Sequence, residues 1–258
     1  MIKQLILHNL LLEKKNAIAC TSIMAGVILF FATIATNTYI DDTNTSRVDY
    51  NYAVGAANGS LWFCLVYMAS RMFRYLNTRK TAIPFLMLPA SNKDKFLANC
   101  ILSLGGTFAM FFVALLGADL VQVLFNLAVR YTTGSITVNF FEHLCEDTNL
   151  FGIQMLNSFF CGTMTILWIH SVFTLGSTMF RKHSLIKTIL SLIGASLILS
   201  MIFGGLAASA AHSNRDITIH FLVDPETMFS ITFYLIVLGT TIGAYYWAYR
   251  RFCKKTIL

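Results

Sequence analysis

Charged residues are scarce in this chain of 258 residues: they make up 12% of it, against roughly 25% in an ordinary soluble domain. Hydrophobic residues make up 56%, so too little polar side chain remains to cover a water-soluble globule of this mass. The 22 Phe and 11 Met are typical of a protein whose solvent is largely lipid. The same figures exclude a disordered chain and a fibrous repeat.

Catalytic and metal-binding motifs are also missing. The sequence has no GxSxG, no HExxH, no GxxxxGK[ST], no CxxC and no pair of carboxylates inside an apolar run. We therefore expect no enzyme activity, no cofactor and no metal. The cysteines are expected to be packing residues rather than a disulfide framework, because only one of them falls in an outer loop; they are Cys20, Cys64, Cys100, Cys145, Cys161 and Cys253.

Six long uncharged runs interrupt the charged segments. Each reaches the ~20 residues that a helix needs to cross the hydrocarbon of a bilayer. They predict an all-α integral membrane protein with one domain, residues 1–258, and six transmembrane helices. These spans cover about 17–37, 53–74, 96–118, 154–178, 186–208 and 228–248.

The basic residues indicate the orientation. With the N-terminus inside, 16 of the 19 Lys and Arg lie in inner segments, and only Arg47, Arg130 and Arg215 lie outside. The positive-inside rule then places both termini in the cytoplasm and the chain in the inner, cytoplasmic membrane. The net charge of +7 belongs to this membrane surface, so we expect lipids and not nucleic acid as partners.

Three further features carry expectations of their own. Residues 1–15 are predicted to form an interfacial helix on the inner leaflet, with a plain extension of the first span as the alternative. Residues 120–131 and 209–227 would suit short helices at the outer interface. Gly55 and Gly59, like Gly239 and Gly243, have GxxxG spacing. We expect them to allow tight packing within one protomer, in preference to dimerisation.

The inner loop before the third span holds two of only three prolines, Pro84 and Pro89. They deny the apolar stretch 83–88 a continuous helix. Ser91 followed by Asp94 approximates a capping box, so the third span should begin there. Phe85 and its apolar neighbours, exposed on the cytoplasmic face, would need a lipid or protein partner.

His170 lies about 16 Å along a helix from Arg181, near the bilayer midplane. An ionisable group at that depth is a functional candidate by default. Because the fourth span contains no carboxylate, we favour a structural role, with a hydrogen bond to a neighbouring helix.

The segment LMLPASNKDKF, Leu86 to Phe96, resembles the membrane subunits of ABC-2 type transporters, in particular the compact permeases of Bacteroidetes-like bacteria. The six-span architecture with a lead-in helix and a basic tail is similar as well. The resemblance implies an exporter permease that pairs with a second permease copy or paralogue. ATP would be bound by a separate ATPase subunit. The resemblance places the coupling segment at 79–96, with candidate residues Pro84, Phe85, Leu86, Leu88, Pro89, Ser91, Lys93 and Lys95.

The alternative is a protein outside the ABC class, either a secondary transporter or a membrane scaffold. A carrier driven by protons or sodium should show ionisable residues or broken helices near the midplane. Only His170 meets that condition.

Overall fold

The computed structural model describes residues 2–41, 50–77, 82–83, 85, 87, 89–129, 135–146, 153–180, 182–212 and 225–257. Within them the chain is helical almost throughout and contains no strand. In the described ranges the longer α-helices are, in order, α1 (Ile2–Asp41), α2 (Asn51–Arg71), α3 (Asn92–Val129), α4 (Ile136–Glu146), α5 (Ile153–Met179), α6 (Ser184–His212) and α7 (Pro225–Ile257). A short 3-10 helix, Arg74–Asn77, follows α2.

Five helices are long and apolar enough to cross a membrane, among the residues that the structure describes. They correspond to the first five predicted spans and lie at Glu13–Thr36, Asn51–Leu76, Asn92–Ala128, Phe160–Met179 and Ser184–Ile202. The sixth predicted span falls in α7, which is 33 residues long. α7 is not among these five helices, so the count of six stays a prediction.

The chain divides into two compact units. The first comprises Met1–Met72 and Pro89–Phe160. In it α1 packs along α3, and α2 contacts both. Its core combines small side chains on α1 and α2 with large ones on α3 and α4; the buried members include Ala32, Ala35, Ala53, Ala57, Phe111, Leu115 and Phe140. Small residues allow helix backbones to approach closely where a hydrophobic driving force between helices is weak.

The second unit comprises Phe73–Leu88 and Cys161–Leu258. It holds most of α5, together with α6 and α7. A short turn joins α5 to α6, and its last residue, His183, has a φ of 52°. That left-handed conformation is uncommon for a residue with a side chain. The two helices approach closely on either side of this turn, where Gly176 of α5 meets Thr188 of α6.

The lead-in 1–15 is continuous with the first span, because α1 runs without a break from Ile2. Asn9, which interrupts the apolar arc of the lead-in, is buried, and its Nδ2 donates to Oδ1 of Asn99 on α3 at 2.9 Å. This bond attaches the lead-in to the rest of the unit. Placement of the lead-in on the inner leaflet stays a prediction.

Two expectations differ from the structure. Residues 120–129 continue α3 instead of forming a separate short helix, because buried polar contacts hold that end of α3 in the first unit. The GxxxG glycines make no close helix contact: a Cβ added at Gly55, Gly59, Gly239 or Gly243 would have no described atom within 4 Å. Beside these glycines on α2, the buried small residues are Ala53 and Ala57, which lie on another face of the helix.

Candidate functional site

The first part of the predicted coupling segment lies in the second unit. One of its described hydrophobic residues is buried there, and two are exposed. Phe85 is only 3% exposed, whereas Ile83 is 55% and Met87 is 79% exposed. The expected exposure of Phe85 is therefore wrong. Pro84, Leu86 and Leu88 lie outside the described residues.

Phe85 is buried because it joins an aromatic cluster. Its ring centroid lies 4.3 Å from that of Tyr75. Tyr75 contacts Phe73 at 6.3 Å, and Phe73 contacts Phe252 on α7 at 5.0 Å. We call these four residues the aromatic cluster. Ring pairs at such separations attract each other beyond the area that they bury. The cluster links the apolar segment to the C-terminal part of α7, which sequence reasoning missed; the aromatic pair at 73 and 75 was the available signal.

The second half of the segment opens α3 in the first unit. Ser91 Oγ accepts the backbone N–H of Asp94 at 3.1 Å, and α3 begins at Asn92. The predicted cap and the predicted start of this helix are confirmed. Such a cap provides a hydrogen-bond acceptor for a backbone N–H of the first helical turn, which has no acceptor within the helix.

The two candidate lysines differ in exposure. Lys93 is exposed, as a rim contact requires. Lys95 is only 3% exposed, so its expected position at the rim of a docking surface is wrong. The reason is the helical period: Lys95 lies one turn before Asn99, on the face that meets α1. Its carbonyl oxygen accepts the Asn99 side chain at 2.9 Å.

His170 is fully buried in α5 of the second unit. Its Nδ1 lies 2.7 Å from the Tyr245 hydroxyl of α7 and 3.4 Å from Thr174 Oγ1. Ser171 and Ser177, on the same helix, donate to backbone carbonyls three residues earlier. The Tyr245 and Thr174 hydroxyls suit a neutral imidazole, because each of them can either donate or accept a hydrogen bond. The predicted neighbouring-helix contact of His170 is present.

A buried polar network in the first unit was not predicted. Gln122 Nε2 of α3 donates to Thr36 Oγ1 of α1 at 2.7 Å and to Asn126 Oδ1 at 3.2 Å. Asn126 Nδ2 donates to the Tyr50 hydroxyl at 2.9 Å. Amides four residues apart in an apolar helix were the available signal. The network holds three segments together and leaves few donors for a ligand.

Asp119 caps the helix that sequence reasoning missed. One carboxylate oxygen accepts the Ile136 N–H at 2.6 Å, and the other accepts the Ser135 hydroxyl at 2.8 Å. Ser135 Oγ in turn accepts the Val138 N–H at 3.2 Å. Asp119 therefore anchors the start of α4. Ser135 before an apolar run was the signal for α4.

The described ranges contain no group of three or more His, Cys, Asp or Glu side chains that could hold a metal ion. Comparison with known proteins adds nothing to this geometry. No family model, curated protein or solved structure matches the chain.

Proposed function

We propose that this chain is the membrane-spanning subunit of an ATP-driven exporter of the ABC-2 type. It would cross the inner membrane six times with both termini in the cytoplasm. It would pair with a second permease copy or paralogue and have no ATPase site, enzyme activity or cofactor of its own. A separate ATPase subunit would bind ATP.

One observation carries the proposal: an apolar, proline-bounded segment leads directly into a capped membrane helix. Ile83 and Met87 are exposed, and Pro89 and Ser91 follow before α3 starts at Asn92. A partner that pushes on this segment acts at the end of a helix of 38 residues. A long helix transmits such a push because its backbone hydrogen bonds make it stiff along its axis.

The aromatic cluster supports a second route for the same motion. Phe85 contacts Tyr75, and Phe252 of α7 lies at the far end of the cluster. Closely packed rings have little room to slide, so a displacement of Phe85 must move its neighbours. In this proposal Phe85 transmits motion within the chain, and Ile83 and Met87 contact the ATPase.

A secondary transporter is the competing function. It would need a titrating group in the membrane, and His170 is the candidate. Its hydroxyl partners Tyr245 and Thr174 favour a neutral, structural imidazole instead. A scaffold without transport remains the other outcome of the test below.

The test is purification of the tagged full chain from its native membranes in mild detergent. The eluate is then probed with a photoreactive ATP analogue and assayed for ATP hydrolysis. We expect the chain to co-purify with a second polypeptide that is labelled by the analogue. The double variant Ile83→Asp with Met87→Asp should lose this polypeptide, because a carboxylate that enters an apolar groove loses its hydration.

The matched control is Ile83→Ala with Met87→Ala, which shortens the side chains without adding charge and should retain part of the complex. All variants must insert and elute as the unmodified chain does. Absence of any ATP-labelled partner from the unmodified chain, or its full retention by the Asp variant, would contradict the proposal. Labelling of the chain itself would point to a different class of protein.

A further inference from the structure

Two cysteines that lie 44 positions apart in sequence meet in the first unit. The side chains of Cys20 on α1 and Cys64 on α2 are within hydrogen-bonding range of each other. Cys64 is buried and Cys20 is half-buried. Both thiols are free. The Thr107 hydroxyl of α3 also contacts the Cys64 thiol.

Methionines surround this thiol pair. Met24 and Cys64 belong to one buried cluster with Ala114, and Cys20, Met68 and Met110 pack against it. We call the two cysteines and three methionines the sulfur cluster. It draws on three helices, since Met110 is supplied by α3.

The sequence pattern repeats on the two facing helices. Cys20 precedes Met24 by four residues on α1, and Cys64 precedes Met68 by four residues on α2. Residues four apart lie on the same face of a helix. Each helix therefore presents one thiol and one thioether to the same place, which gives two matched pairs of sulfur atoms.

Thiol and thioether sulfurs are soft ligands, and together they select Cu(I) among the common biological metals. Hard ions such as Mg²⁺ and Ca²⁺ need oxygen ligands, which this cluster supplies only through Thr107. Ag(I) shares the charge and the softness of Cu(I). In an apolar surrounding a singly charged ion is stabilised by thiolates, because its positive charge cancels one of the two thiolate charges.

We propose that the sulfur cluster is a binding site for one soft monovalent metal ion, Cu(I) or Ag(I). Cys20 Sγ and Cys64 Sγ are the principal ligands, and thioethers of the cluster complete the coordination. On binding, both thiols lose their protons: one metal ion is taken up and two protons are released, with no change of oxidation state. The resulting site carries one negative charge. Two charged side chains act electrostatically on Cys20: the guanidinium of Arg71 offsets this charge, and the carboxylate of Glu13 opposes it with a smaller effect.

The site does not depend on the exporter proposal, because binding requires only the chain itself. Metal binding by these residues can be distinguished from a packing role. Packing needs the volume of the side chains, whereas metal binding needs their sulfur atoms.

The experiment measures Cu(I) bound by the freshly reduced full chain in detergent, without oxygen, in competition with a chromophoric Cu(I) chelator. Ag(I) is titrated in parallel. We expect one ion per chain and two protons released per ion. X-ray absorption at the copper edge should show sulfur as the coordinating element.

Variants separate sulfur chemistry from packing. Cys20→Ser and Cys64→Ser should each weaken binding by about tenfold or more, since even outer-shell changes cost that much in metal affinity. Cys100→Ser is the matched control, because Cys100 is a buried thiol outside the sulfur cluster, and it should bind as the unmodified chain does. Met24→Leu with Met68→Leu keeps the volume and should weaken binding without altering elution or thermal unfolding.

Equal binding by the unmodified chain and the Cys20→Ser, Cys64→Ser double variant would overturn the proposal. So would failure of the unmodified chain to compete with the chelator. A site that holds the ion through oxygen or nitrogen atoms would also contradict it.

Discussion

At the scale of single residues, several buried polar side chains are paired with hydroxyls or amides of another helix, whereas the buried Thr137 Oγ1 has no hydrogen-bond partner among the described residues. His170 is one of the paired side chains: its contacts with Tyr245 and Thr174 give a structural account of an ionisable side chain inside a long apolar helix. Inside a bilayer such contacts are modest: they average about 0.6 kcal/mol and reach about 1.7 kcal/mol. They orient side chains more than they stabilise the protein.

We therefore expect His170→Leu and Tyr245→Phe each to lower the free energy of unfolding by roughly 0.5–2 kcal/mol. The double variant should lose less than the sum, because both single changes remove the same hydrogen bond. The measurement is thermal or denaturant unfolding of the purified chain in one detergent. His170→Gln should keep both stability and transport, since an amide can still pair with the Tyr245 hydroxyl.

The control is Tyr246→Phe, which removes a hydroxyl from an exposed neighbour on the same helix and should leave stability unchanged. Loss of transport in a normally folded His170→Gln variant would assign a protonation role to this residue. Strict additivity of His170→Leu and Tyr245→Phe would show that their hydrogen bond contributes nothing.

At the scale of elements, a close helix contact forms at Gly176, where no sequence motif marked it. A Cβ added at Gly176 of α5 would clash with Thr188 Oγ1 and lie 2.9 Å from Thr188 Cβ on α6. Real Cβ atoms do not approach so closely, so the helices must separate or Thr188 must move. The four GxxxG glycines, in contrast, have open space beside them.

Gly176→Ala should lower the free energy of unfolding by about 1–3 kcal/mol, the usual cost of overpacking. Gly162→Ala on the same helix is the matched control, because no described atom lies within 4 Å of the added Cβ. That change should leave stability unchanged or raise it by up to about 1 kcal/mol, since alanine loses less backbone entropy in a helix. Thermal unfolding measures both.

A second change tests the cause. Thr188→Ala removes the hydroxyl and the methyl group that crowd position 176, and it should recover part of the stability lost in Gly176→Ala. Equal stabilities of the Gly176→Ala and Gly162→Ala variants would show that α5 and α6 do not meet at this point.

At the scale of the whole molecule, the exposed surface indicates the solvent. On α6 large apolar side chains are exposed around much of the helix, among them Ile186, Leu190, Ile193, Leu197, Ile198 and Met201. A helix that is hydrophobic on nearly all sides has to be surrounded by apolar material. Lipid supplies it in a multi-pass membrane protein, which is the class that five long apolar helices support.

The six-span topology is tested with single cysteines in a cysteine-free variant of the chain. Positions Asn44, Thr148 and Asn214 should react with a membrane-impermeant thiol reagent added to intact cells. Positions Asn77 and Ser184 should react only after the membrane is opened, because the positive-inside rule puts them in the cytoplasm. Reaction of the Asn77 cysteine in intact cells would disprove the proposed orientation.

The sequence by itself determined the solvent, the helical class and several helix boundaries. Low charge and long apolar runs suffice for the first two, since only helices and closed barrels satisfy their backbones in lipid. The start of α3 was also readable, because Ser91 and its N–H partner at Asp94 are three residues apart. Such signals are local, so no tertiary contact is needed to find them.

The tertiary structure decided which residues meet. The contacts of Phe85 with Tyr75, of Gln122 with Thr36 and of Cys20 with Cys64 join parts of the chain whose separation in sequence gives no hint of contact. The rotation of α2 about its own axis buries Ala53 and Ala57 and leaves open space beside Gly55 and Gly59. That rotation is set by the packing of side chains from several neighbouring helices. No single segment of the sequence therefore specifies it.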